Sequence, residues 1–350
     1  MDWKALLVRT VSDRPSVLAV LDSDLLPGIP QCSSVQEQIL ALRVLFNLTA
    51  VPDDATSLHI LIFICEHLPL SFFIPQCLDI CLGIIYNCIV KSSVLETQVV
   101  SYLQHDTGHL SRMLDMTCRM DFESEWLLFL LKRFVTRSDL FRVVETISLE
   151  NLFLSALLDA VLEEQPCISV DVLLALLNRV VHLKSEMHSV SDLIKQICEV
   201  LHLGLRAEDL NRFPEICRGI TEILEMFDDS MSNSRIAALD PDEARQHPLY
   251  GLRNACLKLI CQMLALDPAL ACTLADSNLV EGLTSCLRLD PWNPLLREWS
   301  TVALRVLLPE VKDEGRLQAL KNALSQSEQS QVNMKLDTFS GEVELNKRSV

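Results

Sequence analysis

The chain has 350 residues, of which 49% are hydrophobic, 5% aromatic and 22% charged, and a formal net charge of −17. Nine glycines are too few for folds whose turns need many φ > 0 positions, and the apolar content is too high for a disordered chain. The acidic balance predicts repulsion from nucleic acid and from anionic membrane surfaces, leaving an acidic, helical protein.

The first segment, MDWKALLVRTVSDRP, mixes acid and base without a continuous apolar core, so it does not read as a secretory signal. Apolar runs further on are interrupted by Glu66, Pro69, Asp79 and Asn87, and none reaches the ~18 residues of a membrane span. Thirteen cysteines, an odd number, sit mostly inside apolar runs, as Cys65, Cys81, Cys88 and Cys261 do. That placement predicts reduced, buried thiols and a cytoplasmic protein. The sequon Asn47-Leu48-Thr49 lies in an apolar helical pattern and is read as fortuitous.

In chain order, a core of apolar residues at i, i+3 and i+6 recurs. It reads Leu42-Leu45-Leu48, Leu82-Ile85-Cys88, Leu128-Leu131-Phe134, Leu174-Leu177-Val180, Ile220-Ile223-Met226, Leu257-Ile260-Met263 and Leu304-Leu307. Successive cores lie 40, 46, 46, 46, 37 and 47 residues apart. HEAT and armadillo repeats run at about 40–47 residues, so only the interval of 37 falls outside. Each interval holds two or three helical patterns divided by breakers such as Pro69-Leu70-Ser71 and Gln165-Pro166-Cys167. No period-2 segment stands out. The predicted fold is all-α, an armadillo/HEAT-like right-handed superhelical solenoid of about seven repeats over residues 1–324. Such an array extends its core along one axis, where a single round core would stop growing. Residues 228–247 are polar and acidic and are expected to form a long loop. Residues 325–350 are expected to be a flexible polar tail.

Candidate chemistry is sparse. His105 and His109 stand at i, i+4, the spacing of metalloprotease helices, but Asp106 replaces the expected glutamate and Gly108 weakens the helix. Cys77-x3-Cys81 and Cys256-x4-Cys261 have helical rather than zinc-knuckle spacing. Phosphate-cradling and nucleophile-elbow motifs are absent from the sequence. No catalytic residue, metal ligand or cofactor is therefore assigned. Two charged groups are candidate partner-binding elements. The first is the basic cluster Lys132, Arg133, Arg137 and Arg142, and the second is the acidic set Asp228, Asp229, Asp240, Asp242 and Glu243.

The most distinctive stretch is Asp290-Pro-Trp-Asn-Pro-Leu-Leu-Arg-Glu-Trp299. Asn293 can cap a helix begun by Pro294, with Leu295, Leu296 and Trp299 as its apolar face. Together with LVEGLTSCLRLD (279–290) and LYGLRNACLKLICQML (249–264), the run NPLLREWSTVALRVLL (293–308) resembles the C-terminal armadillo-type segment of the ataxin-10 family. The family motif falls on Asn293, Pro294, Glu298 and Trp299. The chain departs from it at Val306, where the family has Asn, and at Pro309, which ends the helix early.

The resemblance covers about sixty residues. It implies a cytoplasmic scaffold without catalytic activity, associated with cytokinesis, neuronal survival, neurite outgrowth and ciliary structures, with perinuclear, midbody or ciliary-base pools. Signalling or glycosyltransferase proteins would be its partners, with homo-oligomerisation open. The reading from the repeats themselves is a concave surface that docks a protein partner. One alternative is a nuclear-transport-type adaptor. Its Asn ladder would need more than Asn47 and Asn87, because Arg133 and Arg179 fill the next positions and four tryptophans cannot build the Trp ladder. The other alternative is a metal- or thiol-dependent hydrolase using His105 and His109 or one of the cysteines.

Overall fold

Short polar residues start the helices where apolar periodicity begins. The Ser34 hydroxyl accepts from the Glu37 amide at 3.2 Å, and the Glu37 carboxylate accepts from the Ser33 amide at 2.8 Å. Two orphan donors are satisfied reciprocally at the start of one helix. The Ser124 hydroxyl does more: it accepts from the Leu127 amide at 3.1 Å and donates to Asp79 at 2.7 Å, tying one helix start to the flank of another.

The computed structural model describes residues 1–350 other than 20, 22–24, 51–52, 105–108, 121–123, 138–141, 146, 165–168, 183–186, 233–242, 244–245, 276, 288–294, 330–332, 337–342 and 347–350. Its body is all-helical. The first helices are α1 (Trp3–Ser12), α2 (Arg14–Leu18), α3 (Val35–Thr49), α4 (Asp54–Ile62), α5 (Pro75–Lys91), α6 (Ser93–Gln104), α7 (His109–Arg119), α8 (Glu125–Thr136) and α9 (Leu152–Glu164). They are followed by α10 (Val170–Val181), α11 (Met187–Gly204), α12 (Phe213–Ser232), α13 (Leu252–Leu266), α14 (Leu270–Leu274), α15 (Leu279–Ser285), α16 (Leu296–Leu307) and α17 (Glu314–Gln329). Two compact units divide the chain, Met1–Val172 and Leu173–Val350.

In the first unit α1, α3, α5 and α8 stack side by side in one row, while α4, α6, α7 and α9 form the second layer. Leu42, Leu45 and Leu48 on α3 and Leu82, Ile85 and Cys88 on α5 are all buried, as the repeat pattern predicts. The third core is shifted. Leu128 is 55% exposed, and Leu130, Leu131, Phe134 and Val135 carry the burial on α8 instead. The end of α3 is held from two sides, by the first residue of α2 and the last residue of α5. Arg14 donates to the Leu48 carbonyl at 2.6 Å and Lys91 donates to the Thr49 carbonyl at 2.6 Å, placing two cations at the negative end of the helix dipole.

In the second unit α13 lies between α11 and α16, while α12 packs on α14 and α15. The 37-residue interval therefore marks a change of partner. The cores at Ile220 and Leu257 belong to α12 and α13, yet the main neighbour of α13 is α11. The turn into α13 needs a left-handed residue, supplied by Gly251 at φ 78°. Lys195 on α11 fixes that turn by donating to the carbonyls of Pro248 (3.0 Å) and Tyr250 (3.2 Å).

Two expectations about polar segments change. The 228–247 stretch is helical at its start, since α12 runs to Ser232, and 233–242 and 244–245 lie outside the described residues. The segment after 325 continues α17 to Gln329 and then forms a two-stranded antiparallel ribbon, β1 (Asn333–Leu336) and β2 (Val343–Asn346). Its register pairs Met334 with Leu345 and Leu336 with Val343, alternating with Asn333–Asn346 and Lys335–Glu344. Four-residue alternations in polar surroundings are too short to stand out as a period-2 signal.

Candidate interaction surface

The solvent side of the α1–α3–α5–α8 row carries an apolar strip. At one end, Leu7, Val8, Val11 and Ser12 of α1 face Arg43, Phe46 and Asn47 of α3 across an open groove of about 650 Å³. Val8 is 68% exposed and Val11 82%. The floor is fixed by polar bonds: Asn47 donates its amide to Thr10 at 3.1 Å, and the Thr10 hydroxyl donates to the Leu7 carbonyl at 2.7 Å.

Next along the row the strip becomes aromatic. Phe46 meets Trp126 edge-to-face with ring centroids 5.6 Å apart. Trp126 lies 5.6 Å from Tyr86 and 5.9 Å from Phe129, and Tyr86 lies 5.6 Å from Phe129. These four rings come from three successive row helices, with Phe129 44% exposed and Leu128 beside it. Pairs of this geometry contribute roughly 0.5–1.5 kcal/mol beyond their buried area, so the cluster is held as a unit. An exposed apolar patch bounded by polar residues is the ordinary mark of an interaction site.

The basic cluster is turned to internal use. Arg133 and Arg137 reach Glu96 on α6 at 3.0 and 3.2 Å, and the Glu96 side chain is 4% exposed. Lys132 pairs with Glu164 on α9 at 2.7 Å, which holds its ammonium above the usual lysine range through that hydrogen bond and the adjacent charge. In the fold Lys132 links α8 to α9 while staying 55% exposed, and Arg133 and Arg137 link the end of α8 to α6. Arg142 lies in a short 3₁₀ turn, Arg142–Glu145. Of the acidic set, Asp228 and Asp229 lie within the last turns of α12 and Glu243 is exposed, while Asp240 and Asp242 lie outside the described residues.

His105 also lies outside the described residues, and His109 opens α7. Among the described residues no group of three His, Cys, Asp or Glu could hold a metal ion. The described cysteines are free thiols. Burial pushes Cys88 and Cys217 up to about 12, and it pushes Cys65 and Cys81 well above the usual thiol range. Buried thiols of this kind are poor nucleophiles.

Around the family-like motif, Asn293 and Pro294 lie outside the described residues. Glu298 is exposed, Trp299 half-buried and Leu295 53% exposed, so the expected Leu295-Leu296-Trp299 face is only partly the packed one. The inward face of α16 is Leu296, Ser300, Ala303, Leu304 and Leu307. Of the Asn ladder positions, Asn47 is bonded to Thr10 and Arg133 to Glu96.

Sequence reasoning passed over the aromatic cluster, though a signal was present. Phe46, Tyr86 and Trp126 recur at intervals of 40 residues. Attention to aliphatic core positions hid an aromatic repeat on the opposite edge of the same helices.

No helix among the described residues is long and apolar enough to cross a membrane. Comparison with protein-family models, with curated proteins and with solved structures finds no match to the chain.

Proposed function

We propose that this chain is a non-catalytic protein–protein interaction scaffold, an armadillo-like array of helical repeats that works through its surface. The observation that carries the reading is the strip of apolar side chains on one helix row, from the exposed Val8 and Val11 through the half-buried Phe46 and Tyr86 to the exposed Phe129. A row of stacked helices offers an extended face to a partner without needing a closed cavity. High thiol pKa values support the non-catalytic part, since a thiolate nucleophile needs the opposite shift.

The resemblance of the 249–308 stretch to ataxin-10 extends this proposal to a cytoplasmic divergent relative acting in cytokinesis, neurite outgrowth or ciliary signalling. Affinity capture from one extract, with wild type beside a Val8→Asp/Phe129→Asp variant of equal thermal stability, tests the scaffold. Specific proteins retained by wild type should be lost by the variant; identical recovery defeats the surface reading. Depletion of the protein should give binucleate cells or shortened neurites, and unaltered division and outgrowth would remove the cellular role.

A further inference from the structure

We infer that the groove between α1 and α3 seats an amphipathic helix of a partner protein, with apolar residues against Val8, Val11 and Phe46 and a carboxylate on Arg43. This rests on the scaffold reading and specifies the partner's chemistry at one end of the strip.

The walls of the groove have helical spacing. Leu7, Val8 and Val11 form one ridge at i, i+1 and i+4, and Arg43, Phe46 and Asn47 form the other at i, i+3 and i+4. Ridges of that period accept the side-chain ridges of a third helix, which is how apolar helix faces dock in helical grooves. The position is open. Helix α3 is flanked in the row by α1 and α5, whereas α1 has α3 as its row neighbour and leaves Val8 and Val11 among the most exposed aliphatic residues of the chain. An extended strand would find no sheet edge on this helical face and would leave its own backbone groups unpaired there.

Charge selects the partner. Among the described residues the lining contains one charged side chain, Arg43, and no carboxylate. The neighbouring amide of Asn47 is already committed to Thr10. With no carboxylate among the described lining residues, a guanidinium rimmed by Val8, Val11 and Phe46 would gain a charge-assisted hydrogen bond from an Asp or Glu on the incoming face. The overall charge of −17 opposes an acidic partner only at long range, since screening at physiological salt confines such fields to about 8 Å. A second copy of this chain is the poorer occupant. Two-fold pairing would set groove against groove and bring the two Arg43 side chains toward one another.

The test is selection of a displayed library of 16-residue peptides on the full-length protein, followed by titration of synthetic peptides from the enriched clones. Enriched sequences should carry apolar residues at i, i+3, i+4 and i+7 with an Asp or Glu within that face. Arg43→Glu should weaken them about tenfold, and replacing the peptide carboxylate by Lys should restore binding to that variant. Val8→Asp should abolish binding, while Val94→Asp, at an exposed position on α6 outside the strip, should leave it unchanged. Val8 and Arg43 are exposed, so these variants should melt with wild type, and Arg43→Ala serves as a second probe should Arg43→Glu not. No enrichment, enrichment of Lys/Arg-rich or proline-rich extended peptides, or equal binding to Val8→Asp overturns the inference. If captured partners are lost with Phe129→Asp while no peptide reads Val8 or Arg43, the helix-in-groove model fails and the scaffold stands. If capture is indifferent to both positions, the scaffold fails.

Discussion

Phe46 on α3 and Trp126 on α8 touch edge-to-face although α5 lies between their helices in the row. They reach one another over Gly83 of α5, where an added Cβ would stand 2.7 Å from Phe46 Cε2 and 3.0 Å from Trp126 Cε2. A missing side chain on the middle helix thus lets aromatic rings from both neighbours meet.

Gly83→Ala sets two effects against each other. Alanine gains about 1 kcal/mol of helix propensity over glycine, whereas forcing a methyl into a filled site costs roughly 1–3 kcal/mol. With two rings inside contact distance the second should win, and the melting temperature should fall by a few degrees. Adding Phe46→Leu should recover part of the loss. A Gly83→Ala variant melting above wild type would show that the rings shift freely.

The Glu96 carboxylate holds Arg133 and Arg137 from a buried position, joining α6 to α8. Glu96→Gln removes the charged carboxylate that the two guanidinium groups share. Because Arg133 and Arg137 are 29% and 39% exposed, water can rehydrate them, which places the cost at about 1–3 kcal/mol, below that of breaking a fully buried pair. The urea midpoint should fall by a corresponding amount, and Arg133→Gln should lower it less, because Arg137 stays on the carboxylate. An unchanged midpoint for Glu96→Gln would mean the cluster is a surface feature after all.

The thiols predict an alkaline limit. Cys88 and Cys217 sit at about 12 in the folded state because burial disfavours the thiolate, against about 9 when exposed. The folded state then binds more protons than the unfolded one above that lower value. Stability is fully present below about pH 9 and is lost as pH rises toward 12. Melting curves between pH 8 and 11 should show the decline, and it should be shallower in Cys88→Ala. At pH 7.5 a maleimide should modify the exposed Cys272 first, with Cys65 and Cys81 reacting only on unfolding. Rapid labelling of Cys81 in the native protein would contradict its burial.

On α16, Leu304 is fully buried while Trp299 is half-exposed. Leu304→Ala should cost about 2–5 kcal/mol in denaturant titrations, as deletions from packed cores do. Trp299→Ala should cost less, roughly 1–3 kcal/mol, since part of its ring already faces water. A reversed order would place the tryptophan in the core.

Much of the helical framework was legible because burial on a helix repeats every three to four residues, and Leu42, Leu45, Leu48, Leu82 and Ile85 carry that repeat without ambiguity. Leu128 was misread because α8 is apolar on both sides: EWLLFLLKRF offers two overlapping faces, and only packing against α5 and α9 selects one. The internal pairing of the basic cluster was not legible for a related reason. Its partner Glu96 lies 37 residues before Arg133, and nothing local pairs them. The pairing of β1 with β2 was passed over because the two strands are four residues each.

Period, composition and capping residues determined by themselves that this chain is a series of amphipathic helices, because local hydrogen bonding and the helical spacing of apolar residues need no distant partner. Which helices became neighbours, which cations were consumed internally, and which apolar side chains were left in water were decided only by tertiary structure. Those outcomes depend on contacts between residues tens of positions apart: α13 against α11, Glu96 beneath Arg133 and Arg137, and Phe46 meeting Trp126 across Gly83.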